Sequence, residues 1–207
     1  MTLRLLLLAL TLQLGSGALL AADSIGQCDR LASHPEDPDK VAPGVERKDM
    51  DINAAIAACN AEVKAHPDNA RARYQLARAL FYGKQNQRAI TEMRKAADGG
   101  YPQAQFVYGL FVSNARDGAP TDFCLVEQYW LKAARGGRQA ARVAYVRDVL
   151  RGSFHGCKIE ATHQEMTSLL ATAAREAQDF YEKLLIEDLT AELAASATGP
   201  AAATPSH

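Results

Sequence analysis

Three things are scarce in this 207-residue chain: an excess of either charge, aromatic side chains, and the short motifs that mark enzymes. Lys and Arg number 23 against 24 Asp and Glu, and the resulting net charge of −1 excludes a sequence-wide attraction for nucleic acid or anionic lipid. Aromatic residues make up 7% of the chain, with a single Trp, while 48% is apolar, so a core must draw heavily on Ala. There is no Gly-x-Ser-x-Gly elbow and no phosphate-cradling Gly-x-x-x-x-Gly-Lys, since Gly99-Gly100 and Gly136-Gly137 lack the lysine. A CxxC pair and an HExxH helix are missing too, so His155, Cys157 and His163 do not form a recognisable metal site, and no cofactor is expected. Beyond the N-terminus no stretch approaches the ~18 apolar residues of a membrane helix, so the remainder is expected to be soluble.

What is present begins with a leader pattern. Arg4 supplies a positive start, Leu5 to Leu14 form an apolar run broken only by Thr11 and Gln13, and Gly15 to Ala22 are rich in small residues. That order reads as a secretory signal peptide over residues 1–22, with cleavage after Ala18 or Ala22. Cys28 follows Ile25-Gly26-Gln27, a poor context for lipid attachment. The expected location is therefore periplasmic or secreted. In an oxidising compartment an even set of cysteines is read as paired, and Cys28, Cys59, Cys124 and Cys157 allow three connectivities.

An internal repeat organises the rest. Lys95-Ala96-Ala97-Asp98-Gly99-Gly100 recurs 37 residues later as Lys132-Ala133-Ala134-Arg135-Gly136-Gly137, and Thr172-Ala173-Ala174-Arg175-Glu176 is a degenerate third copy. Each Gly-Gly reads as a helix stop, and two helical patterns lie between stops. In the first unit Leu76, Ala77 and Leu80 line one helix, Gly83 to Asn86 turn, and Ala89, Met93 and Ala96 line a second. The small residues at 77, 89 and 96 resemble the tetratricopeptide repeat. The second unit has a longer loop, Asn114 to Phe123, and with its Lys-Ala-Ala-x-Gly-Gly ending and 36–40-residue period it resembles the Sel-one-like repeat, a tetratricopeptide relative. The resemblance covers about residues 68–176. It implies an all-α fold: a short right-handed α-solenoid of about three helical hairpins whose first helices line a concave groove. In the third unit, 138–176, Val146 stands where Gly109 did, and the loop from Gly152 to Ile159 is again irregular.

Flanking segments complete the expected architecture. Residues 23–48, with Pro35, Pro38 and Pro43, cannot form a long helix and read as an extended segment. The repeat domain is expected over 49–195. Ile52, Ile56, Cys59 and Val63 mark a leading helix, and Asp68 or Asn69 caps the next. Residues 177–195 form a capping helix through Phe180, Leu184, Leu185, Leu189 and Leu193, with Glu182, Glu187, Asp188 and Glu192 outward, and 196–207 form a disordered tail.

Equivalent loops of stacked repeats lie side by side, so the resemblance implies a Cys124–Cys157 disulfide, with Cys28–Cys59 stapling the Pro-rich segment to the first helices. Each closes a loop of just over 30 residues, for which chain-entropy estimates are roughly 3–4 kcal/mol. Cys59 lacks the Gln and Gly of a caspase-type nucleophile. Glu62, Glu92 and Glu127 are expected to face water, and His34 and His66 to be solvated loop residues. The resemblance puts Tyr74 and Tyr108 at near-equivalent places on consecutive first helices, either as core or as contacts to a partner. The functional expectation is a non-enzymatic scaffold that binds an unidentified peptide or protein in the groove. The alternative is a periplasmic hydrolase or binding protein acting on peptidoglycan or peptide, marked by clustered carboxylate and His groups with shifted pKa. N-terminal sequencing of the exported protein should begin between residues 19 and 23; finding Met1 or Thr2 there would sink the leader assignment.

Overall fold

The computed structural model describes residues 25–198, so the expected leader and residues 199–207 lie outside the described residues. The chain is a stack of helices: α1 (Gln27–Ala32), α2 (Ile52–Ala65), α3 (Ala70–Tyr82), α4 (Asn86–Asp98), α5 (Pro102–Ser113), α6 (Phe123–Arg135), α7 (Gln139–Leu150), α8 (His163–Glu176) and α9 (Phe180–Thr198). Each of α2 to α9 packs on its neighbours in sequence, while α1 docks on both α2 and α3. The result is an all-α solenoid of three hairpins, α3–α4, α5–α6 and α7–α8, led by α2 and closed by α9.

Helix starts depend on side-chain acceptors. Asp51 accepts from the Ala54 N–H at 3.0 Å, Asp122 from those of Cys124 and Leu125, and Thr162 from that of Glu165. Asn69, rather than Asp68, accepts from Ala72 at 3.0 Å, because it is the residue directly before the first helical one. Helix ends depend on the Gly-Gly pairs. Gly100 and Gly137 take φ of +85° and +97°, where a side chain would be strained. That turn lets the Tyr101 N–H reach the Ala96 carbonyl at 3.2 Å and the Arg138 N–H reach Ala133 at 2.9 Å, closing the last turn of α4 and α6. α8 lacks this glycine, and the chain leaves it extended at Ala177.

Close helix approach depends on small side chains. Ala77, Ala89, Ala96 and Ala133 have no exposed surface, and larger residues fill around them. The tightest contact is Gly109 of α5, where a Cβ would lie 2.2 Å from Nε1 of Trp130 on α6. In the third hairpin this large–small pair gives way to two mid-sized, fully buried side chains, Val146 and Leu170.

Several boundaries differ from the sequence expectation. The Pro-rich segment is not extended throughout: α1 forms before the first proline, and a 3-10 turn spans Arg47–Asp49. α9 begins at Phe180 and runs to Thr198, taking in Ser196 to Thr198 of the expected tail. Its buried residues are Ile186, Leu189 and Leu193, spaced three and four apart, whereas Phe180, Leu184 and Leu185 face outward. Only one stripe of a helix can meet the stack, and the chosen stripe leaves the helix's first turn apolar and exposed. Glu127 is 1% exposed, not solvated, because its carboxylate accepts from the Tyr145 hydroxyl at 2.8 Å and from the Glu160 N–H at 3.1 Å.

The sulfurs of Cys28 and Cys59 lie 2.02 Å apart, with Cα atoms at 4.6 Å, and join α1 to α2. Those of Cys124 and Cys157 lie 1.99 Å apart, with Cα atoms at 5.2 Å, and tie the start of α6 to the loop after α7. Replacing Gly109 with Ala should introduce overpacking worth roughly 1–3 kcal/mol, offset by the ~1 kcal/mol that Ala gains over Gly in a helix. A lowered urea midpoint and loss of the 3.1 Å bond from Trp130 Nε1 to the Phe106 carbonyl are expected. An unchanged or raised midpoint would show that the indole can move aside.

Candidate functional site

The face lined by the first helices of the hairpins is the natural site in such a stack, and one half of it is already filled by the chain itself. Residues 33–45 form a loop closed by the Val45 N–H donating to the Ser33 carbonyl at 2.8 Å. The loop lies on α3 and on the first residues of the next two hairpins. Arg78 of α3 holds its base: Nη1 donates to the Ala32 and Ser33 carbonyls at 3.1 and 2.9 Å, and Nη2 to Val45 at 2.6 Å. One turn earlier, Gln75 donates to Asp29 at 3.0 Å and to Ser33 at 3.3 Å, and Arg71 pairs with Asp29 at 2.9 Å. At the far end, Tyr101 donates its hydroxyl to Asp37 at 2.6 Å. This is how a loop with two tight turns, the Asp37 and Lys40 N–H groups donating to the His34 and Asp37 carbonyls, is held on this face: Arg to carbonyl, Tyr to carboxylate.

Burial under the loop changes its ionisation. Desolvation raises the pKa of Asp37, opposed by the hydrogen bond from Tyr101, and the Tyr101 hydroxyl is pushed up in turn by burial and by Asp37. His34 is half-buried rather than solvated. Burial, followed by the nearby charges of Arg78, Arg138 and Lys40, lowers its pKa to about 4. The imidazole Nδ1 accepts from the Glu36 N–H at 3.0 Å, which a proton on that nitrogen would break. Shifted carboxylate and His groups do therefore lie in the groove. Both Asp37 oxygens, however, are occupied by the Tyr101 hydroxyl and the Asp39 N–H, and the side chain is 1% exposed. The shifts are explained by docking of the loop.

The tyrosines that the sequence pointed to lie elsewhere than in an open groove. Tyr74 and Tyr108 are each 1% exposed, as buried as Tyr145 at the matching place on α7. Tyr74 accepts from Gln103 at 3.2 Å and lies 5.6 Å from Tyr101, and Tyr108 meets Tyr129 edge-on at 5.1 Å. A contact role for either is corrected to a core role: Gln103 and Tyr101 cover Tyr74, and Tyr129 of α6 packs over Tyr108. Sequence reasoning missed Arg78, Tyr101 and Asp37. Arg78, a charge one turn beyond Tyr74 on an apolar stripe, was the available signal.

The other half of the face is open. Between the loop and α9 lies a polar cleft of about 690 Å³, walled by residues including Glu36, Arg138, Gln139 and Glu182. Next to it, sharing Ala140 and Glu182, is an apolar groove of about 440 Å³ lined by Phe106, Leu110, Trp130 and Val143 of the hairpins and by Tyr181 and Leu185 of α9. Among the described residues no group of three or more His, Cys, Asp or Glu is placed to hold a metal.

A stack of short helical hairpins, the first two with Gly-ended closing helices, defines the class of fold: an α-solenoid of the kind seen in Sel1 repeat proteins. Solved structures agree. The chain is similar to a Sel1 repeat protein from Oxalobacter formigenes, with a TM-score of 0.51 and 22% identity over 62% of this chain and 96% of that one. It is also similar to a protective antigen present in uropathogenic Escherichia coli strains that displays an SLR fold, with a TM-score of 0.51 and 17% identity over 86% of this chain. The match spans 42% of that second protein. At these identities the likeness concerns the fold. No family model and no curated protein matches the sequence.

Because the pKa of His34 is about 4 folded and ~6.5 unfolded, the unfolded chain takes up a proton first as pH falls. The His34 contribution is therefore intact above pH ~6.5 and is lost between there and pH 4. Urea midpoints of the wild type should fall more steeply across that window than those of His34→Gln, with parallel curves at higher pH. Coincident slopes would remove His34 from the account.

Proposed function

We propose that this chain is an exported interaction scaffold that holds a peptide or protein partner in the open half of its first-helix face. The observation that carries the reading is the division of that face. One half already holds a loop of the chain itself, with Arg78 bonded to its backbone carbonyls, and the other half presents an unfilled apolar groove. The exposed side chains on its wall are costly to leave in water without a function: Tyr181 is 76% exposed and Leu185 38%. Export accords with the leader pattern, with two disulfides that an oxidising compartment would keep formed, and with the finding that no described helix is long and apolar enough to cross a membrane. The disulfides belong to the same reading: they hold α1 and the loop after α7 in place, so that the groove is pre-shaped before a ligand arrives.

Affinity capture from the periplasm with the mature chain is the test, run beside a Tyr181→Ser, Leu185→Ser double variant. The wild type should retain a partner that the variant loses, with helicity and melting temperature unchanged, since both side chains face outward. Equal retention by the two would place binding elsewhere; no retained partner would sink the scaffold reading.

A further inference from the structure

If the chain is a scaffold of this kind, the open half of its groove carries its own specification of a ligand. The polar cleft is walled by Glu36, Asp37, Glu176, Asp179 and Glu182 against Lys40 and Arg138. Asp37 is buried and committed to Tyr101, and Arg142 pairs with Glu176 at 2.6 Å, so Glu36, Glu176, Asp179 and Glu182 face Lys40, Arg138 and Arg142 and the cleft keeps one negative charge in excess. A low-dielectric wall concentrates such a field on whatever enters.

Arg138 gives an independent pointer. Its side chain is buried, 9% exposed, with its guanidinium 5.3 Å from the Phe106 ring centroid, and its Nε has no hydrogen-bond acceptor. A buried donor without an acceptor is costly, and the Arg138 guanidinium stands at the wall of the cleft with donors that no described residue takes up. The position is also the repeat equivalent of Tyr101: each directly follows a Gly-Gly pair and precedes the first turn of an opening helix. Tyr101 spends its donor on Asp37 of the docked loop. One repeat later the same position faces the end of that loop, with its Nε unused.

The apolar groove continues from this point through Ala140 and Glu182, lined by Phe106, Leu110, Val143, Tyr181 and Leu185. Its volume of about 440 Å³ leaves ample room for a bulky apolar side chain and the backbone beside it. The continuity matters: negative cleft, buried donor and apolar slot lie side by side along one extended path.

We infer that the open half of the groove binds an extended peptide segment carrying a Lys or Arg within one to three residues of a bulky apolar side chain; this rests on the scaffold reading. The cation enters the cleft beside Glu36 and Glu182, a backbone carbonyl accepts from Arg138, and the apolar side chain lies between Phe106 and Tyr181. The docked N-terminal loop supplies the precedent for an arginine of this face holding backbone carbonyls, since Arg78 holds three. An acidic segment is disfavoured by the same excess charge.

The probe is a positional-scanning library of acetylated, amidated hexapeptides, whose blocked termini leave side chains as the source of charge preference. Bound peptides are measured by fluorescence anisotropy on the mature chain and on Glu36→Lys and Tyr181→Ser variants. Both residues are exposed, and circular dichroism checks that the variants fold. Enrichment of Lys or Arg near Phe, Trp or Leu is expected, with affinity at least tenfold weaker when Glu replaces the basic residue and at least fivefold weaker for each variant. Retained peptides with no basic preference, or binding that neither variant weakens, would overturn the inference while leaving a peptide groove in place. No retention of any hexapeptide would overturn both the inference and a peptide-binding reading.

Discussion

The rest of the structure depends on close approach of the helices, which in the first two hairpins is possible because one of the two facing surfaces has almost no side chain. Gly109 against Trp130 is the extreme case, with no room for a methyl group, and the fully buried Ala77, Ala89, Ala96 and Ala133 are milder ones. Backbones that lie so near leave the bulky residues, Tyr74, Tyr108 and Tyr145 among them, to fill the space between helices. They therefore become core. The same constraint reaches the helix ends. Gly99 and Gly136 would place a Cβ 3.1 Å from Ala70 and 2.6 Å from Pro102, so the close of each second helix abuts the start of its own first helix. The positive-φ glycine that comes next then aims the chain at the following hairpin.

Stacking of this kind creates a long face with nothing to cover it, and the chain covers part of that face itself. The loop at residues 33–45 is held by Arg78, which donates to backbone carbonyls at its base, and by Tyr101, which donates to the Asp37 carboxylate at its far end. The Arg78 contacts fix the path of the backbone, while the Tyr101 contact selects a carboxylate side chain at one place along it. The Cys28–Cys59 bridge holds the helix that leads into the loop, so the segment is delivered to the face at high effective concentration. At the other end α9 closes the stack with Ile186, Leu189 and Leu193 and leaves Phe180, Tyr181, Leu184 and Leu185 on the outside. Part of that apolar surface becomes the wall of the open groove.

The hairpins were legible because their signals are local. A Lys-Ala-Ala-x-Gly-Gly ending states both a small packing face and a left-handed turn, and its recurrence after 37 residues states the repeat. Cysteine placement was legible at one remove, through the register of the repeats, because equivalent loops lie on one edge. The site was less so. Whether Tyr74 or Tyr108 points into a groove or into the core depends on how far the neighbouring hairpin closes over it, and helical spacing is the same in both cases. Glu127 reads as a surface residue by type, yet the bridged loop after α7 folds over it and supplies the Glu160 N–H. The Pro-rich segment announced that it was not a long helix, but its prolines carried no sign of where it would lie.

The sequence by itself determined the hairpin helices and their Gly-Gly ends, since these rest on residues within a few turns of one another, and the recurrence of those ends set the repeat register from which the cysteine pairing followed. Only the tertiary structure decided which half of the first-helix face is filled and which is open. That outcome turns on Arg78 meeting the carbonyls of Ala32, Ser33 and Val45, and Tyr101 meeting Asp37, across separations of 33 to 64 residues. A hydrogen bond at that range leaves no period or composition bias in the chain. It exists only once the stacked helices have brought its two ends together.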